Sequence, residues 1–259
     1  DGSGFSVWGH SFLQGFQFPP VAIWKIFALN AATYLIAYAI IFNIKSLPLV
    51  AKETDTAPLQ ERLKTGFTYL WQHPLMLKFG VVTLLLFLTI IIFGTQLSPM
   101  FVKLHLRQGG NVFAISDMTF SIGALLAGIF TARMFKEEHS ISSMIAMNIL
   151  AGTMYIFMCA TASSVLFYTA NFVIGFCNAG VRIQRITYIF HHIPNNVIGR
   201  AGSVFFVLNV LFRLWLIGIF ALPFFHTPAT ILLPIFALAA ICFLAASMLL
   251  IDYKKLTAK

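Results

Sequence analysis

Charged residues are scarce in this chain of 259 residues, of which they make up 10%, whereas hydrophobic residues make up 59%. The mean hydropathy is +0.87. Soluble domains carry about 25% charged residues and are less apolar than this chain. The scarcity of charge therefore excludes an ordinary soluble domain and indicates an integral membrane protein.

Cysteine is also rare, and the chain contains three, Cys159, Cys177 and Cys242. They lie far apart within apolar runs. We therefore expect small packing residues rather than a disulfide framework or a zinc site.

Several sequence motifs of catalysis are missing, namely HExxH, GxSxG, a phosphate-binding glycine loop and paired carboxylates within apolar runs. Their absence argues against a membrane-embedded enzyme, and the sequence indicates no cofactor. His191 and His192 stand beside Pro194 at the end of an apolar run. Solvated histidines are commoner at such a place than a metal pair.

Basic residues exceed acidic ones, 17 against 8, which gives a net charge of +9. In a soluble protein this excess would suggest a nucleic-acid partner. Here most of the cations lie in short segments between apolar runs, where signals for membrane orientation belong. We therefore expect no nucleic-acid partner.

Seven apolar segments are long enough to cross a bilayer, because about 20 residues at a rise of about 1.5 Å each span its hydrocarbon core. Prolines fall near the ends of these segments, where a missing N–H disturbs a helix least. The predicted spans are 21–42, 75–101, 112–135, 141–160, 165–190, 203–225 and 229–251.

The sequence thus predicts an all-α membrane protein in which one transmembrane helix and a linker precede a bundle of six helices. The predicted parts are an external loop or the end of a preceding helix (1–20), a transmembrane helix (21–42), a cytoplasmic linker (43–74), the six-helix bundle (75–252) and a tail (253–259).

The second half of the linker is amphipathic. The stretch PLQERLKTGFTYLWQHP places Leu59, Leu63, Phe67, Leu70 and Trp71 on one helical face. Such a helix either lies on the membrane surface or packs on its own protein, and the pattern favours neither.

Lysines and arginines outside the spans are divided unequally between the two sides of the membrane. Eleven fall on the side of the linker and the C-terminus and three on the other, which predicts that the linker and tail are cytoplasmic. The expected location is a cell inner membrane. Asp1 then lies outside, and since no signal peptide precedes it we expect upstream helices. The eleven are Lys45, Lys52, Arg62, Lys64, Lys78, Arg133, Lys136, Arg200, Lys254, Lys255 and Lys259, and the three are Lys25, Lys103 and Arg107.

Polar and small residues recur at helical spacing in four spans, so that they share one face of each helix. Such a face turns toward protein or a water-filled cavity, whereas the apolar seventh span can face lipid. We therefore expect the striped helices to surround an aqueous interior and the seventh span to lie outside it. The stripes are Thr89 and Gln96; Asp117, Ser121, Ala124 and Gly128; Asn171, Gly175, Asn178, Arg182 and Arg185; and Gly202, Asn209 and Arg213.

Three arginines lie inside the apolar spans. Arg213 stands ten residues past Ser203, about 15 Å into its helix and near the midplane. It is the leading candidate for binding a substrate, with a pair to a carboxylate or to backbone carbonyls as an equal alternative. Arg182 and Arg185 lie nearer the cytoplasmic end, where snorkelling to the interface is the commoner outcome.

Asp117 is the single acid within the predicted spans, so the interior carries net positive charge. Arginine donors match carboxylate, phosphate or catecholate oxygens, which predicts an anionic substrate. Asp117 either carries a coupling proton or joins an ion pair or the helix N-terminus near Asn111. The predicted substrate-binding residues are Arg213, Asn209, Asn178, Asn171, Arg182, Arg185 and Gln96.

Two stretches, LSPMFVKLHLRQGGNVFAISDMTFSIGALLAGIFTARMF and IGRAGSVFFVLNVLFR, resemble the C-terminal half of major facilitator superfamily transporters. The likeness is to the exporter branch that includes the enterobactin exporter and macrolide efflux proteins. It covers essentially the whole chain and matches the seven spans to helices six to twelve. It implies a six-helix half-bundle, a missing N-terminal half, and alternating access about a midplane site, usually with proton antiport.

The family motif GxxxDRxxR corresponds here to Gly128, Ala132, Arg133 and Lys136. In the family this motif pairs across the two halves and holds one conformation of the transport cycle. Ala132 replaces the acid of the motif, which puts that pairing in doubt, whereas Gly128 still permits close helix packing. A positive-inside loop explains Arg133 and Lys136 equally well.

Together, the residues and the resemblance predict a secondary exporter of a small amphiphilic anion. A siderophore is the first choice of substrate, and a macrolide or another drug-like molecule is the second. The remaining alternative is a receptor or assembly protein built on half of a transporter.

Overall fold

The computed structural model describes residues 6–7, 10–11, 22–43, 59–134 and 140–257. The chain forms two compact units, Asp1–Thr56 and Ala57–Lys259. The first unit contains a two-residue antiparallel pairing of β1 (Ser6–Val7) with β2 (His10–Ser11), followed by the apolar helix α1 (Ile23–Asn43). α1 covers the predicted span 21–42. The prediction for residues 1–20 falls mostly outside the described residues.

The second unit is built from helices. Six of its helical segments are long and apolar enough to cross a membrane, and they match the second to seventh predicted spans. This confirms the predicted all-α bundle. The helices are α2 (Leu59–Gln72), α3 (Pro74–Ile92), α4 (Ser98–Leu104), α5 (Gly110–Met134), α6 (Ser140–Cys159), α7 (Ser164–His192), α8 (Ile198–Phe220), α9 (Leu232–Ile251) and α10 (Tyr253–Thr257).

α3 and α4 form one continuous span because a π-helical turn, Phe93–Leu97, joins them. Pro99 lacks the N–H that an α-helix requires, and the chain adapts one residue earlier, where the Ser98 N–H bonds to the Phe93 carbonyl. The helix therefore passes Pro99 and ends at Leu104, three residues beyond the predicted boundary.

Successive spans run in opposite directions, so the start of α3 and the end of α9 lie at the same end of the bundle, which we call the Pro74 end. Polar contacts join helices at this end. Lys78 Nζ lies 2.5 Å from Asp252 Oδ2, and the Tyr188 hydroxyl donates a hydrogen bond of 2.9 Å to the Leu256 carbonyl. The opposite end, where α4 ends, is called the Leu104 end.

The packing of the six spans has an internal symmetry. α3 packs against α7, α8 and α9; α7 packs against α3, α5 and α6; and α6 packs against α9. Exchanging α3, α5 and α6 for α7, α8 and α9, in that order, leaves this set of pairs unchanged. The exchanged helices run in opposite directions, as in an inverted repeat, although the contact of α4 with α5 falls outside this exchange.

α5 and α7 approach each other closely through two glycines. A Cβ atom at Gly123 would overlap the Phe172 carbonyl, and a Cβ atom at Gly175 would overlap the Phe120 carbonyl. Small residues let helix backbones approach within a membrane, where water supplies no hydrophobic driving force between helices. Gly175, which the sequence places on the polar stripe of its span, therefore serves the packing of α5 on α7.

α2 packs on its own protein, which is one of the two predicted arrangements. Leu70 is fully buried in a cluster with Ala201 and Val204 of α8. A Cβ atom at Gly66 would lie 2.5 Å from the Arg200 carbonyl oxygen, so glycine permits this approach. Phe67 and Trp71 lie exposed on the same helix, with ring centroids 5.7 Å apart.

Candidate ligand cavity

A cavity of about 460 Å³ lies between α3, α7 and α8. Its lining on α8 runs from Ile198, the first residue of the helix, to Asn209, which is about 16 Å along the axis. The cavity therefore occupies the half of the bundle next to the Pro74 end. A pocket of this size is in the range that small ligands fill.

α7 supplies the polar wall of the cavity. Asn178, Arg182 and Arg185 follow at intervals of four and three residues, which places them on one face, and all three line the cavity. Arg182 is exposed and Arg185 half-buried. Three of the five residues in the predicted stripe on this span thus line the cavity, and Asn171 and Gly175 do not.

Two donor nitrogens of the lining are buried without an acceptor, Nε of Arg185 and Nδ2 of Asn209. Asn209 is 7% exposed. Buried polar groups are normally paired, because an unpaired donor costs about 1–3 kcal/mol. Both donors belong to residues that line the same cavity, but the two nitrogen atoms themselves are shielded from it.

The electrostatic character of the cavity is positive. The described lining contains two arginines and no carboxylate. Within the part of the chain that the structure describes, no carboxylate lies within ion-pairing distance of Arg182 or Arg185. The arrangement is therefore suited to an anion rather than to a cation.

The apolar part of the lining combines aliphatic side chains with four phenylalanines, Phe87 of α3, Phe190 of α7, and Phe205 and Phe206 of α8. Gly80 is needed for this arrangement because a Cβ atom there would overlap the Phe205 ring. The cavity thus combines a cationic wall with an aromatic wall, which is typical of a site for an amphiphilic ligand.

Four of the predicted substrate-binding residues meet in this cavity, and the other three do not line it. Asn171 is buried and donates through Nδ2 to the Phe167 carbonyl at 2.9 Å, within its own helix. Gln96 lies in the π-helical turn, and its Nε2 is 3.5 Å from the Ile217 carbonyl. Arg213 is half-buried one turn beyond Asn209, outside the lining. The four in the cavity are Asn178, Arg182, Arg185 and Asn209.

The residues predicted to carry a proton or a conformational motif lie apart from the cavity. Asp117 is exposed on α5, near the Leu104 end. Gly128 is also exposed, and a Cβ atom there would meet no described atom within 4 Å. The side chain of Arg133 and the whole of Lys136 lie outside the described residues, so these predictions stay predictions.

Several lining residues were not among the predicted set, notably Gly80, Thr83, Phe87 and Phe205. Thr83 satisfies its hydroxyl by donating to the Phe79 carbonyl at 2.8 Å. Gly80 and Phe205 show no pattern on their own helices. Their role follows from a contact between residues far apart in the chain, which a single sequence does not reveal.

A metal site is not formed by the described residues, among which no group of three His, Cys, Asp or Glu side chains could hold an ion. The fold and the cavity define a multi-pass, all-α membrane protein with a cationic pocket. The chain matches no protein-family model, no curated protein and no solved structure.

Proposed function

We propose that this chain is the C-terminal portion of a secondary transporter of the major facilitator type, which exports a small amphiphilic anion by alternating access with proton antiport. The inverted repeat of three-helix units supports this proposal, because such repeats are common in secondary transporters. In this proposal, an N-terminal half of similar construction completes the transport path.

The observation that carries the proposal is the pair of arginines in a cavity whose lining is otherwise largely apolar. A cation within a membrane span, even a half-buried one such as Arg185, is costly unless a counter-charge or a polar partner compensates it. Because the cavity is large enough for a solute, a transported anion can supply the counter-charge while it is bound. Arg182 and Arg185 are the proposed contacts to substrate, and Asn178 and Asn209 supply further polar contacts.

The proposed direction of transport is export. The basic linker and tail favour a cytoplasmic Pro74 end in a cell inner membrane. The cavity lies in the half of the bundle next to this end, so it would take up substrate from the cytoplasm. Proton antiport would supply the energy in this proposal, with Asp117 as the candidate proton carrier.

The aromatic part of the lining favours a substrate with aromatic or extended apolar surface. A siderophore with catecholate oxygens meets both requirements and is the first choice. The second candidate is a macrolide or another drug-like molecule, for which the aromatic wall would matter more than the arginines.

Flux in vesicles that contain the complete protein tests the proposal. Arg182→Gln and Arg185→Gln should each lower the flux of an anionic amphiphile at least tenfold while membrane insertion is retained, because each variant removes a charge-assisted contact. Lys103→Gln is the matched control, since it removes one positive charge at the exposed Leu104 end. Equal flux in all three variants would contradict a transport role for the cavity.

A further inference from the structure

Arg182 and Arg185 lie three residues apart on α7 and both line the cavity. Side chains at this spacing are neighbours on a helix surface. The described lining holds no carboxylate, so two guanidinium charges share one space without an opposite charge. A bound monoanion would balance one of the two positive charges, whereas a dianion would balance both.

The donors available in the cavity indicate the shape of the charged group. Each guanidinium offers a fork of N–H donors, and both arginines line the cavity. A phosphate head group presents three acceptor oxygens in a tetrahedral arrangement, so it can accept from two arginines together. A planar carboxylate has two oxygens and serves fewer of these donors.

We infer that the cavity binds a phosphomonoester, an amphiphile whose doubly charged head group lies between Arg182 and Arg185 and whose body lies against Phe87, Phe205 and Phe206. The inference rests on the cavity of the proposed function and keeps its small amphiphilic anion, but it replaces the catecholate siderophore with a phosphomonoester as the ligand. The same head group occurs in soluble phosphomonoesters and in phosphatidic acid, and the two sources share this chemistry.

Phenyl phosphate and phenyl sulfate are a matched pair of probes, because they share the ring and the tetrahedral oxygens but differ in charge. At pH 8 the phosphate is a dianion, since the second pKa of a phosphomonoester is about 6, whereas the sulfate is a monoanion. We expect the complete protein in non-ionic detergent to bind phenyl phosphate at least tenfold more tightly than phenyl sulfate, measured by calorimetry. At pH 5 the phosphate is largely a monoanion, and the preference should disappear.

Variants of the arginines locate the effect. Arg182→Gln and Arg185→Gln should each remove the preference for phosphate over sulfate, because one remaining cation is compensated by either probe. Lys103→Gln, which changes the net charge by the same amount away from the cavity, should keep the preference. Equal affinity for the two probes at pH 8, or an unchanged preference in both arginine variants, would overturn the inference.

Failure of this inference can be told apart from failure of the proposed function. Binding that follows the expected pattern, in a protein that moves no solute across vesicles, would keep the phosphomonoester site and refute transport. Flux that depends on the arginines without a preference for phosphate would keep transport and refute the phosphomonoester class.

The two sources of the head group are separated in lipid nanodiscs. Phosphatidic acid in the disc should displace phenyl phosphate if the cavity takes the head group of a membrane lipid. Unchanged binding of phenyl phosphate in such discs would assign the site to a soluble phosphomonoester. Both outcomes support a site for this head group. If phenyl phosphate shows no saturable binding in nanodiscs with or without phosphatidic acid, the site is excluded.

Discussion

Lys78 and Asp252 join the first and last spanning helices of the bundle through a contact of 2.5 Å between Nζ and Oδ2. The side chain of Lys78 is 38% exposed and that of Asp252 11% exposed. A pair in such a partly buried place contributes more than a surface pair, which is worth about 0–1 kcal/mol, and less than a fully buried one. The contact therefore fixes α9 to α3 at the Pro74 end.

We predict that Asp252→Asn lowers the free energy of unfolding by about 1–2 kcal/mol, because Lys78 then loses its counter-charge. Lys78→Gln should have a similar effect, and the double variant should cost little more than either single variant, as expected for two groups that act together. Thermal unfolding in detergent provides the measurement. Costs that simply add would show that the two side chains act independently.

The close approach of α5 to α7 gives a second prediction, on packing. Gly123→Ala should destabilise the protein by about 1–3 kcal/mol, because the added methyl overlaps the Phe172 carbonyl and forces the backbones apart. Gly175→Ala should do the same through the Phe120 carbonyl.

Gly218 of α8 is the matched control for these glycines, since a Cβ atom there meets no described atom within 4 Å. Gly218→Ala should leave stability unchanged or raise it by up to about 1 kcal/mol, because alanine favours the helix. The opposite signs of the stability changes expected for Gly123→Ala and Gly218→Ala distinguish steric overlap from helix propensity as the cause. A Gly123→Ala variant as stable as Gly218→Ala would contradict the packing that the structure shows.

The bundle could be predicted from the sequence because each span is a long apolar run, and a bilayer permits few alternatives to a helix for such a run. The polar face of α7 was also predictable, since the spacing of Asn178, Arg182 and Arg185 places them on one side of any helix. The packing of α2 on α8 could not be predicted in this way. It depends on the close approach of Gly66 to Arg200, and no sequence pattern links these two residues.

The position of the arginines shows why the site was harder to predict than the fold. Depth along the helix favours Arg213, because it lies nearest the midplane. What places a side chain in the cavity is the neighbouring helix that its face meets, and Arg182 and Arg185 meet the space between α3 and α8. Depth can be counted along a sequence, whereas the pairing of helix faces depends on contacts such as that of Gly80 with Phe205.

The sequence-based prediction for Arg213 can be tested on its own. Arg213→Gln and Arg213→Ala should lose flux in vesicles that contain the complete protein, while membrane insertion is retained, if this cation meets substrate along the path. Arg213 does not line the described cavity, so the test concerns a second position on α8. Normal flux in both variants would remove Arg213 from the substrate path.

His105 gives a prediction on pH, since it lies between α4 and α5, beyond the spanning helices. It stacks on Phe101 with ring centroids 4.8 Å apart, and its Nε2 is buried without a partner. Burial lowers the pKa of His105 below its usual 6.5, because the charged imidazolium is poorly solvated there. Just below pH 6.5 the folded state then binds fewer protons than the unfolded state. The contribution of neutral His105 to stability is therefore complete above that pH, and it is lost as the pH falls toward the lowered pKa.

Thermal unfolding of wild type and His105→Phe between pH 5 and pH 8 measures the effect. Wild type should lose stability toward pH 5 more than the variant does, and parallel curves would show that His105 does not titrate in this way.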